Sequence, residues 1–129
     1  MANNRKTTKV EVQEPNQEPG GRSAFITIGN REVELVLTTR ATRLIAARYG
    51  GLENLGETLE TSENFEETLS EVIWLITLLA NQSIQIHSLQ NPADPQVELT
   101  EEEFELLTVP ADLGAYREVS VDDIIPAGI

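Results

Sequence analysis

His87 is the one imidazole among the 129 residues, and there is no cysteine. A nucleophilic triad needs a nucleophile and an orienting acid around such an imidazole, and a transition-metal centre needs several His or Cys ligands. Neither set accompanies His87, which reads as a structural or exposed side chain at the tail of a long helix or just past it. The acidic run Glu101, Glu102, Glu103 and Glu105 invites a hard-cation site. Successive helical residues point about 100° apart, so these carboxylates diverge instead of converging on one ion. They follow Thr100, where the positive end of a helix dipole favours acids and where Thr100 with Glu103 spells a capping box. Gly50-Gly51 lacks the lysine of a phosphate loop and stands at the anion-repelling C-terminal end of its helix. Patterns for P-loops, dinucleotide binding, nucleophile elbows, zinc-protease helices and EF-hands are absent. The reading is a non-enzyme: no catalytic residue, no metal ligand and no cofactor are expected.

Composition narrows the partners. The formal charge of -13 argues against DNA or RNA, because phosphate binding needs clustered cations. The charge is uneven: residues 1–50 carry eight of the nine cations and sum to +3, whereas residues 51–129 hold only Arg117 and sum to -16. Solubility explains most of this, and a dedicated acidic face for a basic partner is the sharper alternative. The lack of cysteine fits a reducing compartment. No apolar run reaches the roughly 18 residues of a membrane span, and the polar start is no signal peptide. Length implies one domain with one modest core, and an aromatic content of 5% makes that core aliphatic.

The elements that would position any site follow from patterning. Residues 1–23 read as a flexible arm, punctuated by Pro15, Pro19 and Gly20-Gly21, with Val10-Glu11-Val12 as its only strand-like stretch. Residues 24–129 read as a single α+β domain, a small N-terminal β-hairpin packed on a bundle of four to five helices. The hairpin spans 24–38, turning at Gly29-Asn30 and aligning Ile28 with Arg31, Ile26 with Val33 and Ala24 with Leu35. That register puts Ile26, Val33, Leu35 and Leu37 on one face, with Thr27, Glu32 and Glu34 on the other. Helices fill 39–117. The first is capped by Thr38 or Thr39 and ended by Gly50-Gly51, and a short one carries Leu52, Leu55 and Leu59. A long one starts at Phe65 after Asn64 and runs at least to Ala80. Another starts after Thr100 with Phe104, Leu107 and Val109 on its buried side. A last turn opens at Pro110 and reaches Tyr116. The tail 118–129 reads two ways, as a strand on Val119/Val121 or as a capped turn over Ser120–Asp123.

The surplus of the chain is apolar. Val72–Ala80 is hydrophobic at all but one position. Helical projection puts Phe65, Leu69, Val72, Ile76, Leu79 and Ala80 on one stripe with Ile73 and Leu75 beside it. Trp74 and Leu78 fall roughly opposite, on the side of Glu67, Glu71 and Asn81. A helix apolar on two sides is either sandwiched or offers one side to a partner. Trp74, Leu78, Ile73 and Leu75 are therefore the candidate protein-binding residues.

Several segments in this order resemble the small tail assembly chaperones of long-tailed phages and prophages of Gram-positive bacteria. They are Phe25-Ile-Thr-Ile-Gly-Asn-Arg-Glu-Val-Glu-Leu35, Tyr49-Gly-Gly-Leu52, the helix with Trp74-Leu75, and Leu99-Thr-Glu-Glu-Glu-Phe104. The likeness covers about residues 25–107. Asn-Arg stands where Gly-Lys is usual in that family, and the long arm and the tail from Val109 have no counterpart. The resemblance implies an assembly factor in the host bacterial cytoplasm, absent from the mature virion. Such a factor binds and solubilises the tape-measure protein, helps recruit tail-tube protein and self-associates. The alternatives are a structural tail completion or connector protein and an acidic inhibitor that mimics DNA.

Overall fold

The computed structural model describes residues 22–61 and 64–125. The arm expected over residues 1–23 lies outside them apart from Arg22 and Ser23, which open the first strand. Strands β1 (Arg22–Ile28) and β2 (Arg31–Leu37) pair antiparallel, with Ile28 opposite Arg31, Ile26 opposite Val33 and Ala24 opposite Leu35. Gly29 holds φ at +61°, the left-handed conformation that a two-residue hairpin turn requires there. Ile26, Ile28, Val33, Leu35 and Leu37 are buried along one face, while Thr27 and Glu32 stay exposed on the other. A two-stranded hairpin is marginal alone. Its apolar face lies against the long helix, to which β2 makes most of the contact.

Helix α1 (Thr39–Tyr49) begins where the Thr38 hydroxyl accepts the Ala41 N–H, and the same hydroxyl donates to the Gln82 side chain. It ends at Gly50, whose φ of +82° makes the left-handed cap. Helix α2 (Glu53–Thr61) buries Leu52, Leu55 and Leu59, and Asn54 donates to the Tyr49 carbonyl across the turn. Helix α3 (Phe65–Gln90) is capped by the Asn64 side chain and is the centre of the fold. It packs on β2, on α1 and α2, and on both helices that follow it. From Val72 to Gln82 every residue except Trp74 and Leu78 is buried. By length and composition alone α3 could cross a membrane, but half of its apolar window is buried within this fold.

Beyond α3 the chain returns along it. The Asn81 side chain exchanges two 2.8 Å hydrogen bonds with the backbone N–H and C=O of Leu99, doing for that loop what a strand partner would do. Helix α4 (Glu101–Leu107) starts with the capping box of Thr100 and Glu103. Helix α5 (Pro110–Glu118) continues into a π-helical turn over Val119–Ile124, so Val119 and Val121 lie on a helical turn and not a strand, and the rest of the tail after Ile125 lies outside the described residues. That turn leaves the buried Ser120 hydroxyl without a partner among the described residues, and it brings Ile124 and Ile125 into the core. Burying two isoleucines is worth about 3–6 kcal/mol and an unmet hydroxyl costs about 1–3, so packing decides the register.

Phe65, Leu107 and Val109 lie outside the interior, and two of them, Leu107 and Val109, were expected on the buried side of their helix. Phe65 is 65% exposed, Leu107 47% and Val109 54%. In the first turn of α3, Glu66 lines a groove shared with α4 and α5 and Glu67 and Thr68 a cleft shared with α2, while Phe65 stays uncovered. Helix α4 is only two turns long and turns a single side chain, Phe104, fully inward.

Asn81→Ala is expected to lower stability by about 2 kcal/mol, because both Leu99 backbone groups lose their partner. Urea unfolding followed by Trp74 fluorescence checks this. A loss below about 0.5 kcal/mol would mean that the pairing does not hold the loop.

Candidate functional site

The structure separates the four candidate residues. Leu75 is fully buried in the core, and Ile73, 4% exposed, packs there too with one edge reaching the lining of a groove between α3 and α5. Trp74 and Leu78 are half-buried on the far side of α3. There α1 supplies a cover that sequence spacing does not show. The Arg48 guanidinium lies 4.4 Å above the Trp74 ring and grips Glu71 with two parallel bonds, Nε to Oε1 at 3.0 Å and Nη2 to Oε2 at 3.1 Å. The Tyr49 hydroxyl also donates to Glu71, and its ring meets Trp74 edge to face at 6.0 Å. Stacking of a guanidinium on indole with a forked carboxylate bond is the strong form of an arginine contact.

These groups set one another's protonation. Partial burial by itself would raise the Glu71 pKa, and the bonds from Arg48 and Tyr49 more than offset it, holding the carboxyl below its usual range. Burial, and then the bond to Glu71, push the Tyr49 phenol well above its usual pKa, so it remains a donor. An open cleft of about 570 Å³ lies alongside, walled by Arg48, Tyr49, Thr58, Leu59, Glu67, Thr68 and Glu71. Arg48, Tyr49 and Glu71 satisfy each other beside it, an arrangement that latches α1 onto α3.

A second concavity has a different character. Between the first half of α3 and the start of α5 runs a groove of about 320 Å³, floored by Leu69, Ile73, Pro110 and Leu113. Glu66, Ser70 and Glu105 complete its lining. Phe65, Leu106 and Val109 each adjoin one of these residues in sequence, and all are largely exposed, Leu106 at 78%. Part of the exposed apolar surface of the chain thus stands next in sequence to this groove, while Phe25, Leu44, Leu89 and Val97 are exposed elsewhere. Sequence reasoning missed it by placing Val109 on the buried side of its helix and Phe65 on one stripe with the core residues Val72 and Ile76. The available signal was that Phe65 and Leu69 precede the continuous apolar run at Val72, set among Glu66, Glu67 and Glu71.

The other chemical candidates are local. His87, on the last turn of α3, has Nε2 3.3 Å from Asp94 at the surface. Glu103 is spent on the Thr100 cap. Among the described residues, no three His, Asp or Glu side chains are grouped as a metal ion would need. Comparison with known proteins adds nothing to the geometry: no protein family, no curated protein and no solved structure matches this chain.

Glu71→Gln is expected to cost about 1 kcal/mol at neutral pH, a value discounted for the exposure of Arg48. Because folding lowers the Glu71 pKa, its contribution is present above the unfolded carboxylate pKa of about 4.3 and is lost as pH falls through the folded value. Thermal unfolding of the two proteins should therefore converge in acid. A gap that persists unchanged at low pH would show that Glu71 acts otherwise.

Proposed function

We propose that this chain is a non-enzymatic phage tail assembly chaperone that binds the tape-measure protein and keeps it soluble while the tail tube assembles around it. One observation carries the reading: the apolar groove between α3 and α5, with Phe65, Leu106 and Val109 exposed at positions next in sequence to its lining residues. A small, strongly acidic domain with such a surface is suited to covering an aggregation-prone chain while its carboxylates hold the complex in solution. The resemblance of residues 25–107 to the tail chaperones supports the same partner. In this reading the protein works in the host bacterial cytoplasm, several copies coat one extended tape-measure chain, tail-tube protein is recruited to the complex, and the finished virion lacks it.

Co-expression tests the proposal. The tape-measure protein is expected to be insoluble alone and soluble with this chain. The exposed-site variant Phe65→Ser/Leu106→Ser is expected to keep its fold by circular dichroism and to lose the effect. Unchanged solubility with the wild-type chain overturns the proposal. So does recovery of the protein in stoichiometric amounts from purified particles, which is the mark of a structural tail component.

A further inference from the structure

The groove between α3 and α5 has electrostatics that define an occupant. Glu66 comes from α3 and Glu105 from α4, and both are exposed at its edge. Neither carboxylate has an ion pair or hydrogen bond among the described residues, in contrast to Glu71 and Glu103. Arg117, the one cation after residue 50, does not line the groove, and its Nη1 is buried. An apolar floor edged by unpaired carboxylates is complementary to an apolar stripe flanked by cations.

The shape selects among surfaces carrying that pattern. The floor is the valley between two helices, the geometry into which a third helix packs with its own ridge of side chains. An anionic lipid surface would bring like charge against a region that sums to -16, and so would a nucleic acid. Resting on the chaperone reading, we infer that the groove takes an amphipathic helix of the partner whose apolar face is bordered by Lys or Arg. Ile73 and Leu113 meet its apolar face, and Glu66 and Glu105 meet its cations.

The test uses the full chain and two synthetic amphipathic helical peptides, one built of Leu and Lys and the other of Leu and Glu. Binding is read by calorimetry, and folding by circular dichroism. The wild-type chain is expected to bind the Leu/Lys peptide and to ignore the Leu/Glu peptide. Glu66→Lys/Glu105→Lys is expected to weaken Leu/Lys binding by about tenfold or more and to gain the Leu/Glu peptide. Glu32→Lys/Asp122→Lys changes net charge equally at exposed sites outside the groove and should behave as wild type. Ser70→Arg, an exposed substitution in the groove lining, should also block the Leu/Lys peptide. If both charge-reversed pairs weaken binding alike, the attraction is diffuse and the inference is overturned. Failure of the wild-type chain to bind the Leu/Lys peptide overturns it too.

The two readings fail separately. A tape-measure protein solubilised equally by wild type and by Glu66→Lys/Glu105→Lys leaves the chaperone reading standing and removes the groove from it. An inverted peptide preference without any effect on the tape-measure protein leaves the groove with a different basic helix.

Discussion

Burial of the middle turns of α3 is the constraint on which the rest of the structure depends. Val72, Ile73, Leu75, Ile76 and Leu79 are each 4% exposed or less. Covering them contributes on the order of 10 kcal/mol, as much as the whole net stability of a typical domain. A helix apolar on nearly every side needs neighbours on nearly every side. The hairpin, α1, α2, α4 and α5 supply them, and none is long enough to be stable alone. The polar residues buried on α3 bind those neighbours in register: Gln82 takes the Thr38 hydroxyl, and Asn81 takes the Leu99 backbone.

What was legible in the sequence follows from how local each determinant is. The hairpin register was readable because one glycine with positive φ and a period-two pattern are enough to define it. Helix starts were readable at Thr38, Asn64 and Thr100 for the same reason, since a cap involves residues three apart. The orientation of α3 was harder, because a helix apolar almost all round has little asymmetry from which to assign faces. Arg48 and Glu71 stand 23 residues apart on different helices, and no spacing rule in one sequence joins them. Without that pairing, Trp74 looks like an open surface. Phe65, Leu107 and Val109 show the converse limit: periodicity says which side of a helix is apolar and not where the body that covers it stops.

The acids of residues 51–129 illustrate how one residue type takes different duties from its surroundings. Glu103 closes a cap within its own turn. Glu71 meets a guanidinium delivered from α1 and becomes part of a latch. Glu66 and Glu105 meet no cation among the described residues and stand beside apolar surface. The total of -16 is thus a poor guide to function, since each carboxylate is defined by what lies within a few ångströms of it.

Unpaired charge at the edge of the groove also bears on how a chain with exposed apolar surface avoids sticking to itself. Two copies approaching groove to groove would bring four carboxylates together as their water is removed, a repulsion that salt screens poorly over a few ångströms. A helix with flanking cations meets the same groove with attraction, so selectivity between self and partner is written into the rim and not into the apolar floor. In the proposed chaperone reading, any association between copies along a shared partner would use other surface. The bare side chains of Leu89 at the end of α3 and Val97 in the following loop, at 82% and 87% exposure, lie beyond the groove lining. Contact there would leave the α3–α5 groove of each copy free, as the proposed coating of one extended chain would need.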